Sequence, residues 1–201
     1  MTERRYPAIV IDHESLRHNV KTICDWCDDT GIFVAGVIKG ANGILSVAED
    51  YVAGGAKMIA SSRMEQLKRC REGNIGVPLL MIRVPMLSEL DELVQVADCS
   101  LNSELVTLRA LDKAAEAHGV VHNVVLMADL GDLREGYFNH DELVETAETV
   151  ERELPHLHLA GIGTNLGCYG SVMATEDKMQ ELADLAIRVE KSIGRELEIV
   201  S

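Results

Sequence analysis

Lys39 closes an almost unbroken apolar run, Phe33-Val-Ala-Gly-Val-Ile-Lys39, and the small turn Gly40-Ala-Asn-Gly43 follows it. An amine in that position has two readings. Walled by apolar neighbours, its ammonium form is disfavoured and it reacts as a neutral amine, forming a Schiff base with a carbonyl. Facing water, it is a solvated strand terminator. Arg83 ends the run Leu79-Leu-Met-Ile-Arg83 and offers a planar fork, either for a substrate carboxylate or for a structural ion pair. Cys24 and Cys27 are spaced Cys-x-x-Cys, but no second cysteine pair or histidine set completes a metal site. They read as helix-packing thiols, and no metal centre is expected. The seven histidines, His18, His122, His156 and His158 among them, show no ligand grouping, and Trp26 reads as a packing residue.

These residues need elements to position them. Apolar runs end at Lys39, Ser62, Arg83, Asn102, Asp129, Asn165 and Ser201. The clearest amphipathic stretches between them are 63–72, 87–96, 103–118, 141–154 and 175–193. Ser103 and Asn139 supply helix-start chemistry, while Gly119 and Gly194 supply stops. Ahead of these, Tyr6 to Asp12 reads as a strand. Residues 14–28 read as a helix with Leu16, Val20, Ile23 and Cys27 on its buried face. Strand and helix alternating at this pace predict parallel βα units. An open doubly wound sheet would usually carry Gly-x-Gly-x-x-Gly after its first strand, and the Lys39 turn has no such pattern. Polar or charged residues at all seven strand ends fit a closed (β/α)8 barrel, whose strand ends converge on one mouth. With seven strand ends out of eight, the chain is expected to stop mid-barrel. Residues 1–12 are assigned to an N-terminal strand segment and 13–201 to the barrel domain.

The composition sets limits on this reading. A chain of 201 residues with net charge −14 suits one acidic domain, and its basic residues form no stripe. Nucleic acid and anionic membrane are therefore not expected as partners. No apolar run approaches the roughly 20 residues needed to span a bilayer, and the N-terminus leads into no signal-peptide core. Five cysteines without regular spacing fit a reducing cytoplasm.

Several motifs stand in a recognisable order. Ile9-Val-Ile-Asp12, Leu16-Arg-His-Asn19 and Val37-Ile-Lys39-Gly-Ala-Asn42 resemble the opening of the alanine-racemase-like, fold-type III enzymes that use pyridoxal phosphate. Pro85-Met-Leu-Ser-Glu-Leu90, Asp129-Leu-Gly-Asp-Leu-Arg-Glu-Gly136, Gly161-Ile-Gly-Thr-Asn-Leu166 and Cys168-Tyr-Gly170 are most similar to the ornithine racemase branch. The resemblance runs from about Pro7 to Ser201.

It implies an incomplete barrel of the alanine racemase N-terminal type, with Lys39 as the Schiff-base lysine and an acid/base at the substrate Cα. By the same resemblance, Arg134 reaches the cofactor's phenolic oxygen, and Asp129 positions the loop that carries it. The alternative for Arg134 is a surface pair with Asp132 or Glu135. Asn165 stands where alanine racemases carry a histidine against the pyridine ring; an amide can hydrogen-bond there but cannot titrate near neutral pH. Gly43 replaces their phosphate-binding tyrosine, so phosphate contacts are expected from Ser201 and residues beyond it. Tyr169 and Cys168 either shape the substrate side-chain pocket or pack the loop.

The implied activity is racemisation of ornithine or a related basic amino acid by a full-length homodimer. Its second domain would supply the opposite catalytic base, a tyrosine, to the partner subunit. Residues 1–201 are accordingly expected to be inactive by themselves. A non-catalytic single-barrel carrier of pyridoxal phosphate is the alternative function. Such carriers do not normally contain the Asp-x-Gly-x-x-Arg-x-Gly segment.

Overall fold

The computed structural model describes residues 7–168 and 172–201, and the chain divides into two compact units, residues 1–78 and 79–201. In the first, α1 (His13–Asp28) precedes β1 (Ala35–Val37), a single 3-10 turn (Lys39–Ala41), α2 (Leu45–Ala53), β2 (Met58–Ser61) and α3 (Met64–Glu72). β1 pairs with β2 in parallel, Gly36 opposite Ile59. Asp12 starts α1, its carboxylate accepting from Ser15 N at 3.0 Å and Ser15 Oγ at 2.9 Å. These bonds, led by the backbone one, hold the Asp12 carboxyl below its usual range. α1 docks on α2 through the buried Asp50, which receives His13 and, at 3.2 Å, Arg17.

Residues 7–12, expected as a strand, form none: they are irregular, with Ile9 and Val10 largely exposed. A short apolar run makes a strand only where a partner supplies the ladder, and among the described residues none pairs here. On α1, Leu16, Val20 and Cys27 lie on the partly buried face as expected, but Cys24 takes the place of Ile23. Cys24 is buried and Ile23 is about half exposed, while Trp26, expected to pack, lies largely in solvent.

The second unit contains β3 (Leu79–Met81), a 3-10 turn (Leu87–Glu89), α4 (Leu90–Val96), β4 (Cys99–Asn102), α5 (Leu105–His118) and β5 (His122–Ala128). It continues with α6 (His140–Glu153), β6 (Leu157–Thr164), α7 (Glu176–Ile193) and β7 (Ile199–Val200). β3 to β7 pair in sequence order, all parallel. Asn139 caps α6 by accepting from Asp141 N at 3.0 Å, and Gly119 and Gly194 end α5 and α7 in the left-handed region. Leu108, Leu111, Leu126, Leu143 and Leu159 form fully buried parts of its core. Within that core, Ser100 Oγ meets His122 Nε2 at 3.0 Å, and Asn102 Nδ2 donates to Ser100 O and Oγ, each at 3.0 Å. Burial pushes the His122 imidazole down to about 4.

Candidate active site

Every polar residue expected to end a strand does so, either as the last strand residue or one or two places beyond it. In the first unit, Lys39 opens the 3-10 turn after β1 with an exposed side chain. Among the described residues its ε-amine makes no hydrogen bond or ion pair. It borders a cleft of about 420 Å³, whose other walls are Asn42, Ser62, Arg63, Glu65 and Gln66. The apolar wall that the sequence suggested is therefore absent on this side, and the amine is reachable because the Lys39 side chain is exposed. Gly43 has φ 64°, and a Cβ there would lie 2.7 Å from both Cβ and Cγ of Gln66. No tyrosine fits at this position without moving α3.

In the second unit, Arg83 holds Glu89 with both arms of its guanidinium, at 2.5 and 2.9 Å, and Nη1 also donates to Val84 O. Of its two sequence readings, the structural ion pair is the one seen. Burial works to raise the Glu89 carboxyl, but the Arg83 and Met86 hydrogen bonds and the Arg83 charge outweigh it and leave it below its usual range.

The loop after β5 is clasped back onto its own strand. Asp129 Oδ1 accepts from Gly131 N at 2.7 Å and Leu133 N at 3.1 Å, while Tyr137 N donates to Met127 O and Asp129 N to Tyr137 O. Gly136, at φ 118°, crosses so close that a Cβ would sit 2.6 Å from Asp129 N. The clasp carries Arg134 and Glu135 toward the end of β6. Arg134 is exposed and touches Cys168 Sγ, and Glu135 receives Asn165 Nδ2. Asp132 and Glu135, the surface partners weighed for Arg134, are therefore not the contact seen. Ser201 lies beside this end of β6, its N donating to Ile162 O and its O accepting from Thr164 N. The second unit thus brings Arg134, Asn165 and Ser201 to the ends of neighbouring strands. Tyr169 lies outside the described residues. No group of three or more potential metal ligands occurs among the described residues.

Sequence reading missed Ser61 and Gln66, both buried beside the Lys39 turn. Helical phase was the available signal, since Gln66 stands one turn before the buried Cys70.

The donor set suits pyridoxal phosphate. An accessible primary amine can take its aldehyde, and the exposed Arg63 in the same cleft offers a permanent positive charge for an anionic group. The family described as alanine racemase, N-terminal domain, matches residues 11–201. An ornithine racemase of Acetoanaerobium sticklandii is 38% identical over 196 residues, 98% of this chain and 55% of that protein. A lysine racemase of Thermotoga maritima is 30% identical over the same share of this chain and 54% of its own length. The chain therefore spans about half the length of these curated relatives. Among solved structures, D-threonine aldolase from Filomicrobium marinum has TM-score 0.80 at 20% identity, covering 96% of this chain and 54% of that one. Alanine racemase from Streptomyces lavendulae has the same TM-score and identity, covering 94% and 50%. These likenesses show the fold, the alanine racemase type of (β/α)8 barrel, with seven parallel strands present in this chain.

Proposed function

The chain belongs to the alanine racemase N-terminal domain family, and from that premise we propose that the protein is a pyridoxal-phosphate-dependent racemase of ornithine or a related basic amino acid. One observation carries the reading. A lysine that is accessible, and unpartnered among the described residues, stands at the end of β1 in a chain 38% identical to an ornithine racemase.

When bound, pyridoxal phosphate supplies the electron sink that makes an amino acid's α-proton removable. Lys39 would hold the cofactor through its ε-amine and would act as the acid/base that takes and returns the proton on one face of Cα. Arg134 would place a permanent charge near the phenolic oxygen. Asn165 would lie against the ring, and Ser201 would contribute to the phosphate site. Because Glu135 holds the Asn165 amide, this ring neighbour is oriented by a hydrogen bond and has no proton of its own to exchange near neutral pH.

Racemisation needs a second acid/base on the opposite face of Cα, and the reading assigns it to a partner subunit of a homodimer. The five free cysteines support a cytoplasmic location.

The test uses full-length protein loaded with pyridoxal phosphate, incubated separately with L-ornithine, L-lysine and L-alanine and analysed by chiral chromatography. D-ornithine should form at least about tenfold faster than D-alanine. No enantiomer from any of the three, with cofactor demonstrably bound, would overturn the proposal.

A further inference from the structure

Gln66 stands in the first turn of α3 between exposed Glu65 and buried Leu67, yet it is only 4% exposed. Both ends of its amide are used. Oε1 accepts from Ser61 Oγ at 2.6 Å, and Nε2 donates to Asn42 Oδ1 at 3.2 Å. The fully buried Ser61 hydroxyl gives its one proton to Gln66 while accepting from Arg63 N at 3.2 Å.

The other end of this relay is the turn that carries Lys39. Asn42 N donates to Lys39 O at 3.1 Å and Gly43 N to Ile38 O at 3.1 Å, closing the turn on itself. Asn42 adopts φ 51°, a left-handed conformation that an asparagine tolerates but does not prefer. Two groups of α3 hold it there. Gln66 grips its side chain, and Arg69 Nη2 donates to its carbonyl at 3.0 Å. Gly43 then lies directly against the Gln66 stem. A lysine side chain has four rotatable bonds, so the place from which its amine is presented depends on how firmly its own backbone is held.

We propose that Gln66 is a positioning residue for Lys39. Its amide ties the end of β2 to Asn42, and through Asn42 it fixes the turn that presents the ε-amine. The role matters for catalysis only on the reading that Lys39 holds the cofactor, but the first measurement below does not depend on that reading.

Gln66→Met keeps length and volume and removes both hydrogen bonds. Gln66→Glu keeps the acceptor for Ser61 and sets an oxygen against Asn42 Oδ1, so it isolates the Asn42 end and carries the test if Gln66→Met does not fold. Asn42→Asp retains the acceptor and serves as the conservative control. Amide hydrogen exchange of Asn42 and Gly43 in the cofactor-free, full-length protein should accelerate about fivefold to tenfold in both Gln66 variants. It should stay near the parent value in Asn42→Asp and at the α3 amides of Leu67 and Cys70. Attachment of pyridoxal phosphate to Lys39, followed by visible absorption, should slow by a similar factor in the Gln66 variants.

Exchange within twofold of the parent in a folded Gln66 variant would overturn the positioning role and leave the racemase reading standing. Faster exchange in a protein whose parent takes no cofactor on Lys39 would uphold the positioning role and remove the racemase reading.

Discussion

Arg134 reaches past its own loop to Cys168, and its guanidinium stays in solvent. A residue so exposed contributes little to folding, typically within about 0.5 kcal/mol. Arg134→Ala should therefore leave the melting temperature within about 2 °C of the parent. If its charge tunes the cofactor, racemisation should fall at least about tenfold while the cofactor dissociation constant changes less. Both are read from one steady-state series and one cofactor titration. A variant that racemises like the parent would make Arg134 a surface residue only. At this scale the sequence was legible for placement, since Lys39 closes an apolar run and does follow β1. It was less legible where the partner decides. For Arg83 the sequence left substrate and ion pair open, and the ion pair became visible only with Glu89 accepting both its arms. Gln66 looked like one polar residue in a polar helix turn until Ser61 and Asn42 were found at its two ends.

The β5 loop shows what an element must do to present such residues. Asp129 ties the loop by two backbone amides, and Gly136 lets the chain return to within contact of Asp129 N. Asp129→Asn keeps the accepting oxygen and should cost under about 1 kcal/mol, whereas Asp129→Ala orphans both amides and should cost about 1–3 kcal/mol. Gly136→Ala adds a backbone clash at positive φ and should cost more than about 2 kcal/mol. Urea midpoints of the three variants check the order. If Gly136→Ala is as stable as the parent, the clasp is not as tight as described. Elements were the most legible level. All seven strand ends were found, because apolar runs between amphipathic stretches end where the chain meets polar surroundings. α2 was not singled out, because its nine residues, Leu45–Ala53, carry only a weak helical pattern. The strand expected before α1 failed because pairing depends on a neighbour that local sequence does not reveal.

For the whole molecule, fold class was legible from the repeat of elements, but the buried polar network of the second unit was not. His122 joins that network with its imidazole held down at about 4, against about 6.5 for the unfolded chain. Below pH 6.5 the unfolded chain takes up a proton that the folded one refuses until about pH 4. The stability associated with neutral His122 is thus fully present above pH 6.5 and lost as pH falls toward 4, by up to about 3 kcal/mol. His122→Gln, which cannot titrate, should lose that part of the pH dependence when urea midpoints at pH 7 and pH 4.5 are compared. Equal pH dependence in parent and variant would show that His122 is not the group responsible. The account as a whole rests on one lysine of the seven. Borohydride reduction of the full-length, cofactor-loaded protein, followed by peptide mapping, tests it most directly. The reduced pyridoxyl adduct should be found on Lys39 alone; finding it on Lys57 or Lys68 would contradict the account.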